Sequence, residues 1–182
     1  MPTAEGYNLP RLLQLRESIA VEAGLGKHYQ GSWGQFVGKV KETFNWPDGG
    51  LMAAVSCPTS ACAAGWTTMG AGAKMLVDMD VRTGKASGSA EHVLTKDGEV
   101  RRISEYAAEL LGLDSNEQAR LFSAEPSTRE TLHSIDQLIV AAKHKRTWWD
   151  QIDMERAASN AGKPIEYDAA RAEIAAAEKS KV

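Results

Sequence analysis

The sequence predicts a mainly α (α+β) fold, a helical domain carrying a small β-hairpin or meander around residues 75–102. Three observations point there. Apolar residues recur at three- and four-residue intervals over most of the chain. Helix-capping signals stand at the ends of several of those stretches. Only residues 74–103 change character, into short alternating runs split by Thr-Gly, Ser-Gly and Asp-Gly turns. With 182 residues, 43% of them hydrophobic, the chain holds enough apolar surface for one core. Residues 1–150 are expected to form that single domain, and 151–182 a linker and a C-terminal helix that projects from it.

The stretch "NLPRLLQLRESIAVEAG" reads as a helix with Asn8 as N-cap, Pro10 in its first turn and Gly24 or Gly26 as its stop. Leu12, Leu15, Ile19 and Ala23 form its buried stripe. Residues 32–43 read as a short helix ending before Pro47, because Trp33, Phe36, Val40 and Phe44 then share one face. Another helix is expected from Thr59 to Ala73, and "TGKASGSA" reads as a mobile loop within the β segment. Helices return at 104–111, 115–122 and 128–143, the last opened by a "STRE" capping box. The segment "PIEYDAARAEIAAAEKS" is alanine-rich and favours helix, yet offers only Ile165, Tyr167 and Ile174 as anchors. It is the element expected to project, and to support a homo-oligomer or capture a partner.

A formal charge of −3 gives no general attraction to nucleic acid or to an anionic membrane, so either contact needs a local basic patch. No apolar run approaches a membrane span, so no membrane partner is expected. The N-terminus lacks the basic and apolar regions of a signal peptide. A cytoplasmic protein is expected, with both cysteines reduced.

Those cysteines pose the first chemical question. A zinc site wants four ligands, usually as closely spaced Cys or His pairs. Cys57 and Cys62 are the one such pair, while His28, His92, His133 and His144 stand singly, so neither metal nor cofactor is expected. The spacing also departs from the Cys-x-x-Cys of thiol redox sites. Two readings of Cys62 remain. A helix N-terminus would stabilise its thiolate and suit a nucleophile, although no positioned base stands nearby. Alternatively Cys62, Trp66 and Met69 line the packed face of a helix. Beside them Ala61, Gly65, Thr68 and Gly72 make a stripe of small residues that admits another helix. The burial habit of unpaired cysteines favours the core reading.

The segment "CPTSACAAGW", followed by "AAELLGLDSNEQARLF", resembles a group of small proteins common in actinobacteria and their phages. Those proteins pair a Cys-Gly-Thr-x-x-Cys-x-Ala-Gly-Trp-like stretch with a later Leu-Gly-Leu and an Ala-x-x-Leu-Phe. A helix ending near a Trp follows, a place taken here by "ETLHSIDQLIVAAKHKRTWW". Pro58 stands where the group has glycine. The resemblance covers about residues 30–150. It implies kinship of origin and fold, makes Cys57, Cys62, Gly65 and Trp66 a structural motif, and carries over no catalytic residue. It also implies the cytoplasm of a bacterial host.

Residues 103–123 additionally resemble a helix-turn-helix, with Ala108 as the early small residue and Gly112 at the turn. The second helix departs from that pattern at Gln118, and its outward residues Asn116, Glu117 and Arg120 carry no excess positive charge. The competing reading is a helical corner whose Ala107, Leu110, Leu111, Leu113, Leu121 and Phe122 are core. The stretch "KHKRTWWD" sets Lys143, His144, Lys145 and Arg146 beside Trp148 and Trp149. Cations next to aromatics suit a protein hot spot or single-stranded nucleic acid. They equally suit a helix end, where cations meet the dipole and a tryptophan folds back on the core. Lys145, Arg146, Trp148 and Trp149 are the candidate partner-binding residues.

No nucleophile elbow, phosphate loop, zinc-protease helix or dinucleotide fingerprint occurs. The expectation is a non-enzymatic phage-type protein that binds a host or phage protein. A DNA-binding regulator using residues 103–123 and a virion component are the alternatives.

Overall fold

A computed structural model describes residues 6–163 apart from 41, 47, 48 and 57. Cys57 and the alanine-rich segment 164–182 therefore lie outside the described residues. Within them stand six helices and eight strands, a substantial α+β fold. This corrects the mainly helical expectation: the strands near residues 75–102 belong to a large antiparallel sheet that begins forty residues earlier.

The chain opens with α1 (Leu9–Gly24), capped by the Asn8 side chain as its sequence predicts. Next come β1 (Gly34–Lys39), β2 (Thr43–Asn45), β3 (Leu51–Val55) and β4 (Ser60–Ala61). After α2 (Ala63–Gly70) the sheet resumes with β5 (Lys74–Asp80), β6 (Lys85–Ser89), β7 (His92–Leu94) and β8 (Val100–Arg102). Four helices close the described chain: α3 (Ile103–Leu111), α4 (Ser115–Leu121), α5 (Thr128–Lys143) and α6 (Trp148–Asn160). Strand order is β2-β3-β5-β6-β1-β4, with β7 paired to β5 and β8 to β7, every pair antiparallel.

The helix expected over 32–43 is replaced by β1 and β2. Trp33, Phe36 and Val40 do pack on the core, but Phe36 does so from a strand whose inward row is Gly34, Phe36 and Gly38, and the other two from just outside its ends. Two of those three positions are glycine, so the period-two signal is silent in hydropathy. Gly34 is glycine for a reason of space: a Cβ there would come within 2.1 Å of the Met75 Sδ. The supposed loop "TGKASGSA" holds β6, hydrogen-bonded along its length to β1 and at one end to β5. Only Ala86 of β6 is buried, so partners on both edges specify this strand and its own side chains do not. The helix expected from Thr59 starts at Ala63, because the preceding residues pair with β1 and the Cys62 N–H bonds to the Ser32 carbonyl.

Helices cover one face of the sheet. Ala53, Val55, Met75, Val77 and Val93 point into a single core shared with Leu12, Leu15 and Ile19 of α1 and Ile135, Leu138 and Ile139 of α5. α1 packs on α5, and the Arg16 Nε donates to Asp136 at 2.5 Å where the two meet. α3 ends on Gly112 in the left-handed conformation (φ 74°), which glycine adopts without the strain a side chain brings. α4 and α5 begin with full capping boxes, Asp114 with Glu117 and Ser127 with Glu130. Among the described residues no helix is long and apolar enough to cross a membrane.

Candidate partner-binding surface

The turn between α5 and α6 carries the cation-aromatic stretch. α5 closes at His144, Lys145 takes a left-handed conformation (φ 52°), and Thr147 caps α6 through a box with Asp150. Holding that box, the Thr147 hydroxyl and N–H keep the Asp150 carboxyl below the usual carboxylate range. This geometry fixes the first two residues of α6 in opposite environments.

Trp148 is fully buried. Its indole N–H donates to the Gln137 side-chain oxygen at 3.0 Å, and its backbone N–H donates to the Tyr7 hydroxyl at 2.9 Å. The Gln137 amide N–H donates to Glu155 at 2.6 Å, and Gln151 donates to the other Glu155 oxygen at 2.7 Å. α6 is thus docked by a tryptophan and a polar network, and it continues across position 151, where the sequence reading begins a linker.

Trp149 remains 41% exposed. Its ring stacks on Trp148 with centroids 6.2 Å apart and planes 25° from parallel. The Arg120 guanidinium, brought from α4, lies 5.4 Å from both ring centroids. Sequence reasoning missed Arg120 in this role, since nothing links residue 120 to 149 before the chain is folded. Lys145 is exposed, and Arg146 turns its guanidinium onto the sulfur of Met154 at 2.9 Å. The four candidates therefore divide: Trp149 and Lys145 at the surface, Trp148 in the core, Arg146 half-buried against α6.

The structural motif around Cys62 is internal. Cys62 is buried, its thiol faces the Trp33 carbonyl at 3.8 Å, and burial pushes that thiol up to about 11. A proton held that firmly does not suit a nucleophile. At Gly65 an added Cβ would lie 1.9 Å from the Trp33 carbonyl oxygen. The small residue thus admits a backbone oxygen just before β1, and not a neighbouring helix as the stripe of small residues suggests. Trp66 is half-buried against the same core.

In the helix-turn-helix-like segment, Ala107, Leu111, Leu121 and Phe122 are buried, while Leu110 and Leu113 are half-buried. Glu117, one of the three outward residues of that reading, is fully buried, and Arg120 is engaged with the two tryptophans. Among the described residues no three His, Cys, Asp or Glu side chains gather as metal ligands would.

Compared with protein-family models, with curated proteins and with solved structures, the chain finds no match.

Proposed function

We propose that this chain is a non-enzymatic, phage-type protein that binds a bacterial host or phage protein through a surface centred on Trp149 and Arg120. One observation carries the reading. Trp149 is exposed yet clamped, with the buried Trp148 beneath it and the Arg120 guanidinium beside it. Tryptophan and arginine contribute disproportionately to binding, and a side chain already held in place loses little entropy when a partner arrives. The cationic edge suits a partner that offers a carboxylate next to an apolar side chain. The resemblance of "CPTSACAAGW" and "AAELLGLDSNEQARLF" to actinobacterial and phage proteins supports the phage-type part of the reading.

The experiment is affinity capture from the bacterial host with three tagged chains: wild type, Trp149→Ala and Arg120→Ala. A protein held by the wild type and lost by both variants, with melting temperatures within a few degrees of the wild type, supports the surface. A partner retained equally by both variants overturns it. Salt-dependent retention on DNA would favour a regulator, and presence in purified particles a virion component. The segment 164–179 is a second proposed contact, for a partner or a second copy. Truncation after Asn160 tests it through the loss of capture or of self-association.

A further inference from the structure

The opposite side of the sheet holds a pocket that follows from a break in strand pairing. β5 pairs Leu76 with His92 of β7 and Met79 with Ala86 of β6. Between those points, among the described residues, Val77 and Asp78 pair with β3 alone, and Ser87, Gly88 and Ser89 with β1 alone. The ladder splits there, where the edge of β5 changes partner from β7 to β6. Over the split opens a cavity of about 400 Å³, within the ~300–1,000 Å³ range of small-ligand sites.

Its lining is chemically one-sided. Trp46 and His92 form an aromatic wall, with rings 5.1 Å apart and 69° between their planes. The half-buried Met52 gives an apolar floor. Asp78 and Glu91 stand at the rim, and among the described residues no lysine or arginine lines the cavity. Neither of these carboxylates takes part in any side-chain hydrogen bond or salt bridge among the described residues, whereas Asp136, Glu117 and Glu155 all do. An aromatic wall, an apolar floor and two unpartnered carboxylates complement a flat cation on an aliphatic stem.

We infer that the pocket bounded by Trp46, Leu76, Asp78, Glu91 and His92 binds a guanidinium group, carried by an arginine side chain or by a free alkylguanidine. The stem lies on Met52, the planar head meets the aromatic wall, and the two carboxylates take its N–H donors. Guanidinium suits this lining better than ammonium, which is more strongly hydrated and cannot stack.

The test is an NMR titration of the wild-type chain, following the Trp46 indole and His92 ring signals. The probes are N-acetyl-arginine amide, agmatine, N-acetyl-lysine amide and N-acetyl-norleucine amide. Saturating shifts are expected with the two guanidines, weaker binding with lysine and none with norleucine. The combined Asp78→Asn and Glu91→Gln variant, whose changes lie at exposed positions, should lose affinity at least roughly tenfold while its other signals stay in place. Tighter binding of an Ala-Arg-Ala peptide than of agmatine would assign the source to a protein, and the reverse to a small molecule. Equal binding of lysine and arginine amides, or guanidine binding that survives the double variant, overturns the assignment.

Discussion

The Tyr7 hydroxyl donates to the Glu117 carboxylate and accepts the Trp148 backbone N–H, so a residue ahead of α1 joins α4 to the start of α6. Burial, and then the Glu117 carboxylate, push the Tyr7 phenol up, and it stays a donor through the ordinary pH range. Glu117 is fully buried, and its second oxygen accepts the Asp114 N–H at 3.0 Å. Tyr7→Phe strands both the Glu117 oxygen and the Trp148 N–H, and should cost about 1–3 kcal/mol. Chemical denaturation of Tyr7→Phe, Glu117→Gln and the pair, read as a double-mutant cycle, should give coupling above about 0.5 kcal/mol. Additive losses would mean the contact contributes nothing of its own.

The two adjacent tryptophans should separate in mutagenesis. Trp148→Ala empties a core site and orphans the Gln137 oxygen, for a loss of about 3–5 kcal/mol. Trp149→Ala removes a stacked, exposed ring and should cost no more than about 1 kcal/mol. Thermal melts of the two variants check this, and equal losses would contradict the geometry.

Cys62 should write itself into the alkaline limb of stability. Its thiol titrates near 9.0 in an unfolded chain and is pushed up to about 11 in the fold by burial. A raised folded value means its contribution is intact below pH 9 and disappears as pH climbs through 11. The loss is on the order of 2–3 kcal/mol. Denaturant midpoints for Cys62→Ala should fall less steeply between pH 9 and 11 than those of the wild type. The Tyr7 phenol, also raised, steepens the limb above pH 10 in both proteins. Native alkylation near pH 7 should be slow, and fast modification of a stable fold would refute the buried thiol.

Gly65 should tolerate nothing larger. Its added Cβ would meet the Trp33 carbonyl oxygen at 1.9 Å and the Ala61 Cβ at 2.8 Å, both on short, rigid groups. Gly65→Ala is expected to cost at least about 3 kcal/mol, despite alanine's better helix propensity. A variant with an unchanged melting temperature would place α2 farther from the Trp33 carbonyl than 1.9 Å implies.

The helices that sequence reading located were those whose signals are local. Asn8, Ser127 and the Leu12–Leu15–Ile19 stripe each announce themselves within a few residues. β1 stayed hidden because Gly34 and Gly38 occupy inward positions whose volume comes from the Met75 and Phe36 side chains. β6 was unreadable for the opposite reason: its lysine, serines and glycine make a strand only when β1 and β5 flank it. In α6 the buried face is Trp148, Gln151 and Glu155, so two of its three core positions are polar and leave no stripe. At the candidate surface, Trp149 was visible in the sequence and Arg120 was not. Their pairing depends on how α4 meets α6.

The packing of α1 on α5 sets a schedule for synthesis. Arg16 and Asp136, which mark that contact, are 120 positions apart. At about 5–20 residues per second, a ribosome takes roughly 6–24 s to deliver the second after the first. α2 emerges in between and covers part of α1, but Ile135, Leu138 and Ile139 arrive only at the end of that interval. For those seconds the Leu12, Leu15 and Ile19 stripe is an unfinished surface on a nascent chain, open to whatever chaperone waits at the exit tunnel.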